Sequence, residues 1–146
     1  MIGPKTGVSS PIASEKTSEW LRHNSLPDDK ILVWGLECQI YALSSRMFAT
    51  HAPFDFLLTA DLSANKIAES WQSIIRQQFV EQLIKERPKY LLIVNNDTNI
   101  VEPLPSNEAL TLIPGFQSLV DHDYNKIKSI ELFDIYQRKT LGSHDE

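Results

Sequence analysis

Two carboxylates and an imidazole stand at consecutive positions in Asp121-His122-Asp123, and all three groups are competent ligands for a divalent metal. Consecutive side chains diverge, and no second histidine follows at helical spacing, so the tripeptide reads as a polar turn before a strand. Cys38 and His51 supply a thiol and a base, the parts of a nucleophilic pair, but each is isolated in the sequence and no Gly-x-Ser-x-Gly elbow occurs. Cys38 follows an apolar run and reads as a buried small hydrophobe, while His23 suits the C-terminal end of a helix, where its charge complements the dipole. The acids Asp55, Asp61 and Glu69 have the chemistry for paired-carboxylate glycoside cleavage, yet nothing sets them apart from ordinary surface charge. Trp34, Tyr41, Trp71 and Phe79 fall at core positions of their elements, which favours packing over a sugar-stacking platform.

Phosphate chemistry is disfavoured as well. The turn after the first apolar strand, Gly35-Leu36-Glu37-Cys38-Gln39, has a single glycine where a dinucleotide site needs several, and Glu37 would repel a phosphate there. The loop ending in Gly-Lys-Ser or Gly-Lys-Thr is absent from the sequence. No catalytic residue, cofactor or metal site is therefore assigned. The candidate ligand-facing positions are Gly35, Glu37, Asn95, Asn96 and Asp97, which end two apolar strands at the carboxyl edge where open sheets usually bind ligands, with Asn95, Asn96 and Asp97 the polar groups most worth following.

The elements that carry these residues follow from hydrophobic periodicity. A short helix is expected over 14–24, with Ser14 as N-cap, and Leu26-Pro27-Asp28-Asp29 ends it. A strand over 30–35 is continuously apolar from Ile31 to Trp34, the mark of a strand covered on both faces. A helix over 37–45, a shorter strand over 46–50, and an apolar loop or edge strand containing Phe54, Phe56, Leu57 and Leu58 come next. The strongest helix spans 64–87, where Ile67, Trp71, Ile74, Ile75, Phe79, Leu83 and Ile84 recur at three- and four-residue steps. Ser63 is its expected N-cap, Leu62 and Ile67 a hydrophobic staple, and Pro88 its stop. A second buried strand, Tyr90 to Val94, makes a parallel crossover with the first. A proline-bearing loop over 98–106 and a short helix within 107–123 lead to two closing strands, 126–130 and 132–137, reversing near Glu131. The expected fold class is α/β: a mostly parallel, Rossmann-like sheet flanked by helices, with a C-terminal antiparallel strand pair.

At 146 residues, with 42% apolar and 23% charged residues, the chain fits one domain with a real core. The expected organisation is a linker over 1–13, one domain over 14–140 and a polar tail over 141–146. A formal charge of -5 argues against a general nucleic-acid binder. The nearest basic group, Lys85 with Arg87-Pro88-Lys89, reads as a solvated helix end. One cysteine allows no internal disulfide, and no run approaches the ~20 apolar residues of a membrane span.

Five segments, taken in order, resemble a known family. They are Glu19-Trp20-Leu21-Arg22-His23-Asn24, then Leu26 to Gly35 (Leu-Pro-Asp-Asp-Lys-Ile-Leu-Val-Trp-Gly), then Ile40-Tyr41-Ala42-Leu43-Ser44-Ser45-Arg46, then Glu86-Arg87-Pro88-Lys89-Tyr90-Leu91-Leu92-Ile93-Val94, and finally Tyr124 with Phe133-Asp134-Ile135-Tyr136-Gln137-Arg138. Together they resemble the soluble C-terminal region of bacterial membrane glycosyltransferases related to dolichyl-phosphate-mannose protein mannosyltransferases and to the lipid A aminoarabinose transferase. The resemblance implies a polytopic parent, a polyprenyl-phosphate-linked sugar donor, and a catalytic acid in an extracytoplasmic loop that this chain does not contain. It implies further that the domain lies on the extracytoplasmic side as a non-catalytic part, mannosyltransferase-like in its parent, covering the active site or helping acceptor binding. Its partners would then be the membrane-embedded portion of the same polypeptide and a lipid-linked sugar or acceptor, with no nucleic acid and no cofactor. The alternative is a stand-alone cytosolic α/β domain that binds a small ligand or protein at its strand carboxyl ends; a small hydrolase using Cys38 is a weaker third.

Overall fold

The computed structural model describes residues 11–53, 55–98 and 104–140. Its elements run α1 (Pro11–His23), β1 (Ile31–Trp34), α2 (Gln39–Ser44), α3 (Phe56–Thr59), α4 (Lys66–Glu86), β2 (Tyr90–Val94), α5 (Ser106–Ala109), a short 3-10 turn (Leu110–Leu112), α6 (Phe116–Asp123), β3 (Tyr124–Ile130) and β4 (Phe133–Arg138). Residues 1–10 of the expected linker over 1–13, the tail over 141–146, Phe54 and part of the proline loop lie outside the described residues, and 11–13 belong to α1.

The two continuously apolar runs are the neighbouring strands β1 and β2, paired parallel with Ile31 opposite Tyr90 and Trp34 opposite Ile93. Every residue of both is buried, as expected for strands covered on each face. Alternation sorts their side chains. Leu32, Trp34, Leu91 and Ile93 meet Leu58, Phe79, Leu83 and Phe116 on one side, while Ile31, Val33, Leu92 and Val94 meet Leu21, Ile40 and Tyr41 on the other. Helices α1 and α2 thus cover one face, and α3, α4 and α6 the opposite one.

The sheet is not the mostly parallel, Rossmann-like one that the sequence suggested. Its order is β1-β2-β4-β3, and only β1 and β2 run parallel among the described strands. The reason is local. A parallel sheet grows by repeated helix crossovers, whereas here the second apolar strand leads through α6 into a hairpin, whose second strand takes the place beside β2. Phe133, Asp134 and Ile135 of β4 are buried and suit that interior place, whereas β3 exposes Asn125 to Ser129. Lys126 and Lys128 on this edge, with a register shift between them, discourage pairing with other chains. Glu131 turns the hairpin in the left-handed region at φ 50.

Several expected boundaries moved for identifiable reasons. Helix α1 starts at Pro11, a residue whose fixed φ suits a first turn, so Ser14 is a buried helical residue and not a cap. The segment after α2 is not a strand: it makes one isolated parallel bridge, Phe48 to Ile31, held by Ile31 N–H to the Met47 carbonyl and Ala49 N–H to the Ile31 carbonyl. The Phe56 segment is a single helical turn. Asn65, and not Ser63, caps α4, its side chain accepting from the amides of Ile67 and Ala68. Arg87, left-handed at φ 45, ends that helix before Pro88.

The largest departure concerns the buried face of α4. Gln72, Phe79 and Leu83 are buried on it, whereas Ile67 is 83% exposed, Ile74 56%, Ile84 58% and Trp71 47%. A staple between Leu62 and Ile67 is therefore absent. Ile67→Ser and Ile74→Ser are each expected to change unfolding free energy by no more than about 0.5 kcal/mol in urea titrations, as surface positions do.

Buried tyrosines link the core to pH. Burial pushes the Tyr124 hydroxyl up to about 12, against the lowering influence of Arg138 and Arg87, and burial likewise raises Tyr41. A raised folded value means that these groups stabilise the fold fully below the ordinary tyrosine value, and that this contribution is lost as pH climbs toward the folded value. Unfolding midpoints are therefore expected to hold steady up to about pH 10 and fall above it, in step with tyrosinate absorbance.

Candidate functional site

The carboxyl ends of β1 and β2 bring together most of the polar groups singled out in the sequence. Gly35 leaves β1 at φ +147, buried so tightly that a Cβ there would lie 2.6 Å from Val94 Cγ2 and 3.4 Å from Asp97 Oδ2. A side chain at this position would block the approach of the loop after β2. Glu37, two residues on, is also buried, and its carboxylate accepts from Gln39 Nε2 at 2.7 Å, an amide that also reaches Ser14 Oγ at 3.0 Å.

After β2 the chain turns through Asn95, Asn96 and Asp97, with Asn96 left-handed at φ 54. Asn95 Nδ2 donates to Asp134 of β4, which also accepts from Ser129 Oγ at 2.6 Å and pairs with Lys126 at 3.4 Å. Asn96 is exposed. Asp97 is buried and accepts twice from Ser106, from the amide at 2.6 Å and from the hydroxyl at 2.5 Å.

Ser106 is the node that sequence reading missed. Its hydroxyl also lies 2.9 Å from Asp55 Oδ2, and its carbonyl accepts the Trp34 indole N–H at 2.8 Å. One hydroxyl proton cannot be donated to both carboxyl groups at once, so Ser106 sits between two competing acceptors. A proline before a serine at a helix start was visible in the sequence, but its link to positions 34, 55 and 97 exists only in three dimensions. With Ser106 only 3% exposed, a substrate cannot reach the hydroxyl, and the cluster acts as a polar plug above Trp34. Ser106→Ala is expected to destabilise the fold by about 2–3 kcal/mol, the range for hydrogen bonds to charged groups, with unchanged slope in urea unfolding.

The remaining candidates are dispersed. Cys38 is exposed at the start of α2, correcting the expectation of burial, because the apolar run ends before it. His51 belongs to the opposite layer, where its amide donates to Gln82 Oε1 and its Nδ1 lies 2.9 Å from Gln82 Nε2 of α4. It lines a cavity of about 220 Å³ with Ala52, Leu57, Trp71, Ile75 and Phe79. Trp71 is therefore half-exposed at a cavity, whereas Trp34, Tyr41 and Phe79 are core.

Asp61 and Glu69 share a shallow depression with Arg76, while Asp55 is buried apart from it. Ser63 donates through both its amide and its hydroxyl to Asp61, holding that carboxyl below its ordinary value. Asp121, His122 and Asp123 end α6 and do not form a turn; Asp121 accepts from Gln117, and His122 Nδ1 meets Asp123 Oδ1 at 2.7 Å. Among the described residues, no three His, Cys, Asp or Glu side chains are placed to hold a metal ion. His23 lies in the last turn of α1, its Nδ1 2.9 Å from the Glu19 carbonyl.

The segments quoted above for their resemblance are tied to one another. Arg46 donates to the carbonyls of Arg22 and Ser25, and Tyr41 accepts the Val33 amide at 2.7 Å. Tyr90 donates to the Asn24 carbonyl, and Lys30 pairs with Glu86 at 2.5 Å. Tyr124 and Arg138 donate to the carbonyls of Pro88 and Arg87, at 2.6 and 2.5 Å. No helix among the described residues is long and apolar enough to cross a membrane.

No family model and no curated protein matches the chain. Among solved structures, it is similar to the C-terminal globular domain of an oligosaccharyltransferase from Archaeoglobus fulgidus, at a TM-score of 0.47 and 14% identity over 90% of this chain and 100% of that one.

Proposed function

We propose that this chain is a non-catalytic domain of a polytopic membrane glycosyltransferase whose donor is a polyprenyl-phosphate-linked sugar. The observation that carries the reading is that the five segments of the family resemblance bond to one another through Arg46, Tyr41, Tyr90, Lys30, Tyr124 and Arg138. Residues that jointly specify a fold hold one another's backbone in this way, because each buried carbonyl or amide needs a partner.

In this reading the domain sits on the extracytoplasmic side, attached to the membrane-embedded portion of the same polypeptide, and covers the active site or helps seat the acceptor. The alternative, a stand-alone domain with a ligand at its strand ends, has less support: Asn95 and Asp97 are engaged with Asp134 and Ser106. Deleting 14–139 from the parent polypeptide tests the role. Transfer is expected to fall about tenfold or more at equal membrane abundance, a barrier change of about 1.4 kcal/mol. Unchanged rate and acceptor choice would reject it.

A further inference from the structure

At the sheet end opposite Gly35, four cations line one concavity of about 430 Å³: Arg87, Lys89, Arg138 and Lys139. The chain carries fourteen Lys and Arg against nineteen Asp and Glu, so the grouping runs against its overall charge. Backbone pairing brings them together. Arg87 ends α4, Lys89 precedes β2, and the Arg138 amide donates to the Lys89 carbonyl at 2.9 Å, which places the end of β4 beside the start of β2.

Charge compensation here is incomplete. Among the described residues, Lys89 alone of the four has a carboxylate within ion-pair reach, Asp29 at 3.8 Å. Arg138 spends one guanidinium N–H on the Arg87 carbonyl, which anchors the fork, and makes no other side-chain hydrogen bond among the described residues. Lys139 Nζ reaches only the Asp121 carbonyl, at 3.3 Å. Arg138 and Arg87 act electrostatically on the Tyr124 hydroxyl, and Asp123 opposes them more weakly, so the two guanidinium groups share one locality in which positive charge prevails. The dipole of α4 accounts for one cation at its C-terminus, and Lys139 meets the last turn of α6 at the Asp121 carbonyl, yet a helix end supplies only about half a negative charge.

We infer that this concavity binds a phosphate group. Three cations without a carboxylate in ion-pair reach exceed what a single carboxylate ligand would balance, and they match a dianionic phosphate or a diphosphate, whose oxygens accept from guanidinium forks. The group could belong to a lipid headgroup or to a free phosphate. The site goes beyond the transferase reading and stands without it, since the chain is tested alone.

The test titrates the 146-residue chain with inorganic pyrophosphate at low ionic strength, following amide and Arg Nε–H shifts, and in parallel sediments it with phosphatidylglycerol–phosphatidylcholine vesicles and with phosphatidylcholine vesicles. Shifts confined to 87–89 and 137–140, weakened about tenfold or more in the Arg87→Gln/Lys139→Gln variant, support a free phosphate. Sedimentation with the anionic vesicles alone, lost in that variant while pyrophosphate stays silent, supports a headgroup. A Lys16→Gln/Lys66→Gln variant removes equal charge from exposed positions elsewhere and should keep the response in either case. Silence of the unsubstituted chain toward both probes, or equal weakening in the two variants, overturns the site. For pyrophosphate the location of the shifts is read on the unsubstituted chain and does not depend on the variant folding; for the vesicles, the variant's own amide spectrum, unchanged outside 87–89 and 137–140, shows that it is folded.

Discussion

Gly35→Ala is expected to cost about 3–5 kcal/mol of unfolding free energy, close to the whole margin of a small domain. Two effects add. At φ +147 an L side chain is strained, and the new Cβ would stand 2.6 Å from Val94 Cγ2 and 3.0 Å from Val94 Cβ. Val94 cannot retreat, because it is fully buried in β2 and paired with Phe133 across the sheet. Urea unfolding would show a lower midpoint with unchanged slope. A Val94→Ala change in the same chain should return the steric part and leave the backbone strain, so the two substitutions should couple by about 1–2 kcal/mol.

Trp34→Ala should be as damaging, at about 3–5 kcal/mol. Trp34 is fully buried, with ring centroids 4.9 Å from Phe116 and 5.5 Å from Phe79, and these two rings lie 5.2 Å apart. Removing the indole opens a void between α4, α6 and the sheet and strands the Ser106 carbonyl that it bonds. Trp34→Phe separates the contributions: it keeps most ring contact, loses the N–H, and should cost about 1–2 kcal/mol. Equal losses for the two variants would show that the hydrogen bond, and not ring packing, dominates.

How far such features could be read in advance depended on whether their cause was local. Ile31 to Trp34 and Tyr90 to Val94 announce two-sided burial in a few consecutive letters, and the long helix between them fixes a parallel pair. The place of β4 beside β2 is a long-range outcome, and the alternation of its residues does not encode it. In α4 the three- and four-residue rhythm is real, but apolar residues spread too widely around the helix to show which stripe meets the sheet. Phe79 and Leu83 do; Ile67 and Ile74 do not. At the strand ends, Asp97 and Gly35 were recognisable as a turn, whereas Asp55 and Ser106 join them from 42 and 9 residues away from Asp97, separations at which no sequence period operates.

Exposed apolar residues on α4, with Leu57 and the adjoining cavity, remain the part of the surface that folding alone does not explain. On the proposed reading, this chain is one portion of a longer polypeptide.

The most direct measurement is fractionation of the native polypeptide with an antibody raised against 11–140. The account predicts that it stays with membranes through alkaline carbonate washing and migrates at several times the 16.6 kDa of this chain. A carbonate-extractable species of 16.6 kDa would contradict it.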